Sequence, residues 1–297
     1  MLYLLLAIVC ASTYSVLFKL FACRDVDSLQ AIAFNYLTAT LLGVLLSFGD
    51  MSSGVVLGRR EWLLSAVMGV MFMAAFVLMA RSTARSGVAV TTVAARVSLI
   101  IPVVCSYLFL AEGAEPRWGA IVVIMMALVM VIGGPKRKSG AKQSDHRGAE
   151  TRGRYGALSA VLLPLSVFVL FGANNFCLKW AQSGMDSDAG ASQLSAAIFL
   201  VAAIASALYY LLTTRERRFS WRSLGGGVLL GVANFFTTYF MFLGIAELPS
   251  GVFFPIYHVG IVALATTVGV WLFGERLSWV QIAGLGVAVV GIVAFFV

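Results

Sequence analysis

The feature that most constrains this chain is that it repeats itself. Residues 1 to 134 and 155 to 297 each carry five long apolar segments, and the scarce polar residues recur at matching places in both halves. Offsetting one half on the other by about 160 residues pairs Tyr14 with Asn174, Ser15 with Asn175, Lys19 with Lys179, Gly69 with Gly231, Met79 with Met241 and Arg96 with His258. Glu112 meets Glu275 with one more residue of shift. A repeat with an odd number of spans must sit inverted relative to its twin. Inverted repeats around a midplane site are a signature of secondary transporters, because two related bundles can exchange conformations and open the site to alternate sides.

The segments themselves define a membrane protein. The chain is 61% hydrophobic and 11% charged, and a bilayer core of about 30 Å needs about 20 apolar helical residues. The expected fold is all-α and polytopic, with ten spans at 2-21, 29-48, 62-80, 87-110, 118-134, 155-179, 192-213, 223-245, 250-273 and 279-297. All six tryptophans (Trp62, Trp118, Trp180, Trp221, Trp271, Trp279) fall at or beside span ends, where an amphipathic ring prefers the headgroup region. Met1 to Leu6 lacks a basic n-region, so the first span reads as retained. Four cysteines without close pairing read as small apolar packing residues rather than a disulfide framework or a zinc site.

Basic residues give an orientation. The joints 1-2, 3-4, 5-6, 7-8 and 9-10 hold sixteen Lys and Arg, the opposite faces four, and Arg96 completes the 21. Short loops rich in Lys and Arg stay cytoplasmic, which predicts both termini outside and the 135-154 linker inside, in a bacterial inner membrane. That linker is polar and basic, and reads as a solvated orientation signal rather than a nucleic-acid site.

Within the spans, charge is the sharpest signal. Arg96 lies about nine residues into the fourth span, where an arginine costs about +2.5 to +3.5 kcal/mol. No Asp or Glu lies deep in any span; Asp50, Glu61, Glu112, Glu115, Glu247 and Glu275 all fall at segment ends. Arg96 must therefore find carbonyls, water or an anionic ligand. Its functional reading is a grip on a substrate carboxylate or phosphate, and its structural one is snorkelling along the helix. His258 sits at the same depth in the ninth span and could couple proton movement to transport, or hydrogen-bond across helices as a neutral ring. Pro102, Pro255 and Pro164 remove backbone donors in the fourth, ninth and sixth spans, where kinks can line a site.

Further polar residues complete a candidate cavity wall. Tyr14 and Ser15 in span 1 and their counterparts Asn174 and Asn175 in span 6 are the first set. Asn35, Tyr36, Asn234 and Tyr239 are the second. Interhelical hydrogen bonding is the competing role for all of them, because a buried amide is costly unless partnered. Lys19 and Lys179, near span ends, read as snorkelling. Ser65-x-x-x-Gly69 and Gly227-x-x-x-Gly231 are small-residue faces that let backbones approach. Gly284, Gly286 and Gly291 form a smooth face suited to the periphery or to a homodimer contact.

Each half ends in a Glu after a long apolar span and then another span: Phe109-Leu110-Ala111-Glu112 into 118-134, and Leu272-Phe273-Gly274-Glu275-Arg276-Leu277-Ser278 into Gly284. In this the chain resembles the two EamA domains of the drug/metabolite transporter superfamily over nearly its whole length. The resemblance implies a ten-helix bundle with a central cavity built by spans 1-4 and 6-9, and substrates among amino acids, sugars, nucleotide derivatives and drugs. Many such relatives have cytoplasmic termini, and here the basic-residue count favours the reverse. The expected function is secondary active transport of a small anionic or zwitterionic metabolite, such as an amino acid, by alternating access. No cofactor is implied, and no Gly-x-x-x-x-Gly-Lys-Ser/Thr phosphate loop exists to bind ATP. The alternatives are a proton-coupled exporter of cationic compounds, which would want a membrane-embedded carboxylate, and a non-transporting receptor or accessory subunit. A lipid-modifying enzyme would need a catalytic constellation, and His-Glu-x-x-His is absent.

Overall fold

The computed structural model describes residues 1–22, 28–50, 57–86, 88–110, 116–133, 154–184, 189–214, 219–273 and 277–294. Among them every regular element is a helix: α1 (Leu2–Ala22), α2 (Ser28–Asp50), α3 (Arg59–Ser86), α4 (Val88–Val97), α5 (Ile100–Phe109), α6 (Trp118–Gly133), α7 (Arg154–Gln182), α8 (Ala189–Thr213), α9 (Trp221–Glu247), α10 (Ser250–Phe273) and α11 (Trp279–Val293). Among the described residues seven stretches are long and apolar enough to cross a membrane by length and composition, the first Leu29–Ser47 and the last Ser250–Trp271. Leu2–Thr13, Trp118–Ile132 and Trp279–Val293 are shorter apolar helices. The six tryptophans are all exposed, from 44% to 89%, near helix ends, as an interfacial belt requires.

The fourth apolar segment, expected to be one helix, is broken at Ser98–Leu99 into α4 and α5. Pro102 supplies the cause. In an unbroken helix its nitrogen would donate to the Ser98 carbonyl, but a proline nitrogen has no proton and its ring crowds that oxygen. The Ser98 carbonyl accepts instead from the Ile101 N–H at 3.0 Å, and the Leu99 N–H turns to the Arg96 carbonyl at 3.3 Å. The Ser98 hydroxyl donates to the Ala95 carbonyl at 2.7 Å, competing with the helical ladder as serine does. Three-residue bonds thus replace four-residue ones at the Leu99 and Ile101 N–H groups, while the Ser98 and Val103 N–H groups keep theirs to Ala94 and Leu99, and the chain tightens into a turn. Pro164 and Pro255 leave α7 and α10 continuous.

The chain forms two compact units, and each draws helices from both halves of the sequence repeat. Unit 1 comprises Met1–Met73 and Cys177–Pro249. Within it α2 packs against α8 and α9, and α1 against α9. Small residues permit this. A Cβ on Gly231 would lie 2.6 Å from the Asn35 carbonyl oxygen, one on Gly227 2.7 Å from that of Ala31, and one on Gly69 2.7 Å from that of Ile198. The Gly227-x-x-x-Gly231 face is therefore the seam between α9 and α2, and Gly69 seats α3 on α8. In lipid, where apolar side chains gain nothing by leaving the solvent, such close backbone approach supplies the packing energy.

Unit 2 comprises Ala74–Phe176 and Ser250–Val297. Here α6 packs on α11 and α4, and α10 on α5 and α6. The glycine face of α11 turns inward. A Cβ on Gly284 would meet Val131 at 2.8 Å and one on Gly291 would meet Ile124 at 2.7 Å, while Gly286 faces open space. The expectation of a smooth outer face is corrected to that extent, because two of its three small residues draw α11 onto α6. A capping box of Ser278 and Gln281 starts α11, and the Gln281 amide also donates to the Val131 carbonyl at 3.1 Å. One side chain thus caps a helix and ties it to its neighbour.

Candidate functional site

The site is assembled in unit 2 around the helix break. Arg96 lies one residue before the end of α4 and is partly buried. Thr92 and Val93 are its neighbours at i−4 and i−3 on α4. The first turn of α5 is held by α7: a Cβ on Gly172 would collide with the Ile101 side chain, its Cβ at 2.7 Å. Phe176, one turn on, meets Phe109 with ring centroids 6.3 Å apart. Glycine at 172 therefore lets α7 lie directly on α5, and its next turn presents Asn174 and Asn175.

Asn175 faces α10. Its Nδ2 lies 3.5 Å from Nε2 of His258, and His258 is 2% exposed. Pro255 stands one turn before His258, and Phe253 stacks on Tyr257 at 5.6 Å and 16°. Tyr257 in turn meets the imidazole edge-on at 5.4 Å. Two buried polar atoms of unit 2 have no hydrogen-bond partner, Asn174 Oδ1 and His258 Nδ1. Among the described residues unit 2 contains no Asp or Glu. Its polar interior is therefore one guanidinium, one imidazole, amides and hydroxyls, a set that suits an anionic or hydrogen-bonding solute. The break itself is satisfied by its own turn bonds, and Leu99 makes no side-chain cap, so the positive character rests on Arg96.

The remaining sequence candidates lie in unit 1. Asn234 Nδ2 donates to Asn35 Oδ1 at 3.2 Å, joining α9 to α2. Tyr36 is fully buried and meets Phe199 at 6.3 Å. Phe199 meets Phe235 at 6.3 Å, and Phe235 stacks on Tyr239 at 5.9 Å and 12°. Tyr36 and Tyr239 thus belong to one aromatic chain, which continues from Tyr239 to Phe240 at 5.7 Å. Tyr14 and Ser15 are placed on α1 by its backbone, and their side chains lie outside the described set. Lys179, expected to snorkel, is 8% exposed; its Nζ donates to the Ile245 carbonyl at 2.8 Å. The last carbonyls of a helix lack intrahelical donors and carry partial negative charge, which explains why α9 recruits an ammonium there. The linker up to residue 153, Glu112, Glu115 and Glu275 lie outside the described residues.

Two residues that matter for the site's geometry, Ser98 and Gly172, are not apparent in the sequence reading. Ser98 was open to notice four residues before Pro102. Gly172 was not, since only its contact with Ile101, remote in sequence, gives it a role.

Long apolar helices, exposed apolar side chains facing outward and tryptophans at the helix ends define the class, an integral membrane protein. The chain belongs to the EamA-like transporter family, whose model matches residues 1–133 and 158–297. An uncharacterized protein of Haemophilus influenzae is 24% identical over 292 residues, spanning 95% of this chain and 93% of its own length. A solved crystal structure matches with a TM-score of 0.74 at 14% identity, covering 98% of this chain and 94% of that one, a likeness of fold.

Proposed function

We propose that this member of a transporter family is a secondary carrier for a small organic solute with a negative group, anionic or zwitterionic, that works by alternating access. In this reading ten spans form two inverted five-helix repeats, 1-134 and 155-297, in a bacterial inner membrane with both termini outside. The observation that carries the substrate class is Arg96 beside the α4–α5 break, in a unit whose described residues include no carboxylate. Discontinuous helices in transporters put backbone ends and polar side chains at bilayer depth where a solute can reach them. A guanidinium there offers two parallel donors to a carboxylate or phosphate. An exporter of cationic drugs would need the opposite charge at this place.

Flux into sealed liposomes tests the reading, with organic acids, amino acids, sugar phosphates and cationic drugs as solutes. Anionic or zwitterionic solutes should move with the wild type. Arg96→Gln should lose that movement by about tenfold or more, as expected for removal of a charge-assisted hydrogen bond. Movement of cations alone, or flux unchanged in Arg96→Gln, would reject it. His258 is the residue assigned to proton coupling. His258→Gln should change the pH profile of flux, and an unchanged profile returns His258 to a hydrogen-bonding role.

A further inference from the structure

Lys179 stands in for a hydrogen that the backbone lacks. In a helix each carbonyl accepts from the N–H four residues on, and for Ile245 that residue is Pro249, whose nitrogen carries no proton. Lys179 of α7 supplies the donor, its Nζ lying 2.8 Å from the Ile245 carbonyl at the buried end of α9. The same proline ends the helix. A residue before proline is pushed out of the helical region, and Leu248 is extended, with φ −127° and ψ 141°. Its N–H makes the closing bond of α9, to the Gly244 carbonyl at 3.2 Å, and α10 starts at once with Ser250.

The chain changes units at this place. It passes from unit 2 to unit 1 between Phe176 and Cys177, inside α7, and from unit 1 to unit 2 between Pro249 and Ser250. Lys179 is the third residue beyond the first passage, and Ile245 lies four residues before Pro249, at the second. Their bond therefore ties the two passages together within unit 1. Movement between packed bodies is absorbed by a few residues at the ends of elements. A backbone N–H would fix the end of α9 rigidly, whereas an ammonium on a flexible four-carbon stem can follow the carbonyl or let it go. We infer that Lys179 and Pro249 form a releasable clamp on the α9–α10 joint: closed, the ammonium holds the end of α9 to α7, and released, it frees the joint to bend. The inference rests on the carrier reading above, in which each cycle bends such joints, and it makes Lys179 a positioning residue and not a solute contact.

The test is hydrogen–deuterium exchange of the full-length protein in lipid nanodiscs, read by mass spectrometry over the end of α9 and the start of α10, beside uptake of labelled lactate, glutamate and glucose 6-phosphate into liposomes. Lys179→Met should speed exchange in the last turn of α9 by about three- to tenfold, the loss of one hydrogen bond. Lys179→Arg keeps a donor and should stay within about twofold of the wild type. Pro249→Ala gives Ile245 a backbone donor, so adding Lys179→Met in that background should change exchange by less than about twofold. This pair also serves if Lys179→Met alone disturbs folding. A bond that no longer lets go should slow uptake in Pro249→Ala by about threefold or more while solute affinity stays unchanged. No acceleration in Lys179→Met, or equal acceleration with and without Pro249, overturns the clamp and leaves the carrier reading standing. Uptake at the wild-type rate in Pro249→Ala overturns its release during transport. Absence of wild-type uptake of all three solutes overturns both the carrier reading for them and the release that rests on it.

Discussion

In unit 1 the Asn35–Asn234 pair joins α2 to α9 at 3.2 Å, and in unit 2 the Asn175–His258 pair joins α7 to α10 at 3.5 Å. Both are buried polar contacts between helices, yet their surroundings differ. The first lies in a seam where Gly227 and Gly231 bring two backbones together and aromatic rings fill the rest. It leaves one amide nitrogen, that of Asn35, without a partner. The second lies in the unit that holds Arg96 and the broken helix, and leaves the His258 Nδ1 unpaired. Polar groups in a membrane can serve as adhesive where neighbours close around them; in the carrier reading proposed above, the unit 2 cluster serves instead as a recognition surface.

That contrast can be broken by experiment. The largest stability effect should come from Gly231→Leu. With its Cβ already 2.6 Å from the Asn35 carbonyl, the added side chain must push α9 off α2, at a cost of about 1 to 3 kcal/mol or more, visible as a lower midpoint in thermal unfolding of the purified protein. Retention of the wild-type midpoint would show that this seam is not tight. Next, Asn234→Leu should cost about 0.6 to 1.7 kcal/mol of stability while leaving ligand affinity unchanged. Asn175→Leu should do the reverse, weakening ligand affinity severalfold with a smaller shift in unfolding. If both variants act on affinity alike, the distinction between the units fails. The smallest effect should come from Lys179→Met, which removes the bond to the Ile245 carbonyl and should lower stability by about 0.5 to 1.5 kcal/mol, read from the same unfolding curves.

Much of this architecture is legible in the sequence, for physical reasons. A helix that crosses lipid must be apolar for about 20 residues, so hydropathy alone locates the helices, and tryptophans mark their ends. Arg96 stands out because an arginine at that depth is expensive. The break after it was not legible. Pro102 predicts a kink, and the conversion into a full turn depends on Ser98 taking a backbone carbonyl as well. Pairings inside the units were also hidden: Asn35 and Asn234 are separated by 199 positions, and Asn175 and His258 by 83. Offset matching aligns equivalent positions of the two halves, not the neighbours that each acquires. It therefore matched Arg96 to His258, but could not show that Asn175 would meet His258.

The most direct measurement is the thermal stability of the purified protein with and without ligand, wild type against Arg96→Gln, across organic acids, amino acids, sugar phosphates and cationic drugs. A ligand at 100 times its dissociation constant adds about 2.7 kcal/mol, a readily measured shift. The account predicts that anionic or zwitterionic compounds stabilise the wild type, that Arg96→Gln loses the effect, and that its own unliganded midpoint is equal or higher. Stabilisation by cations alone, or an identical ligand response in Arg96→Gln, would contradict the central claim and make Arg96 a structural residue.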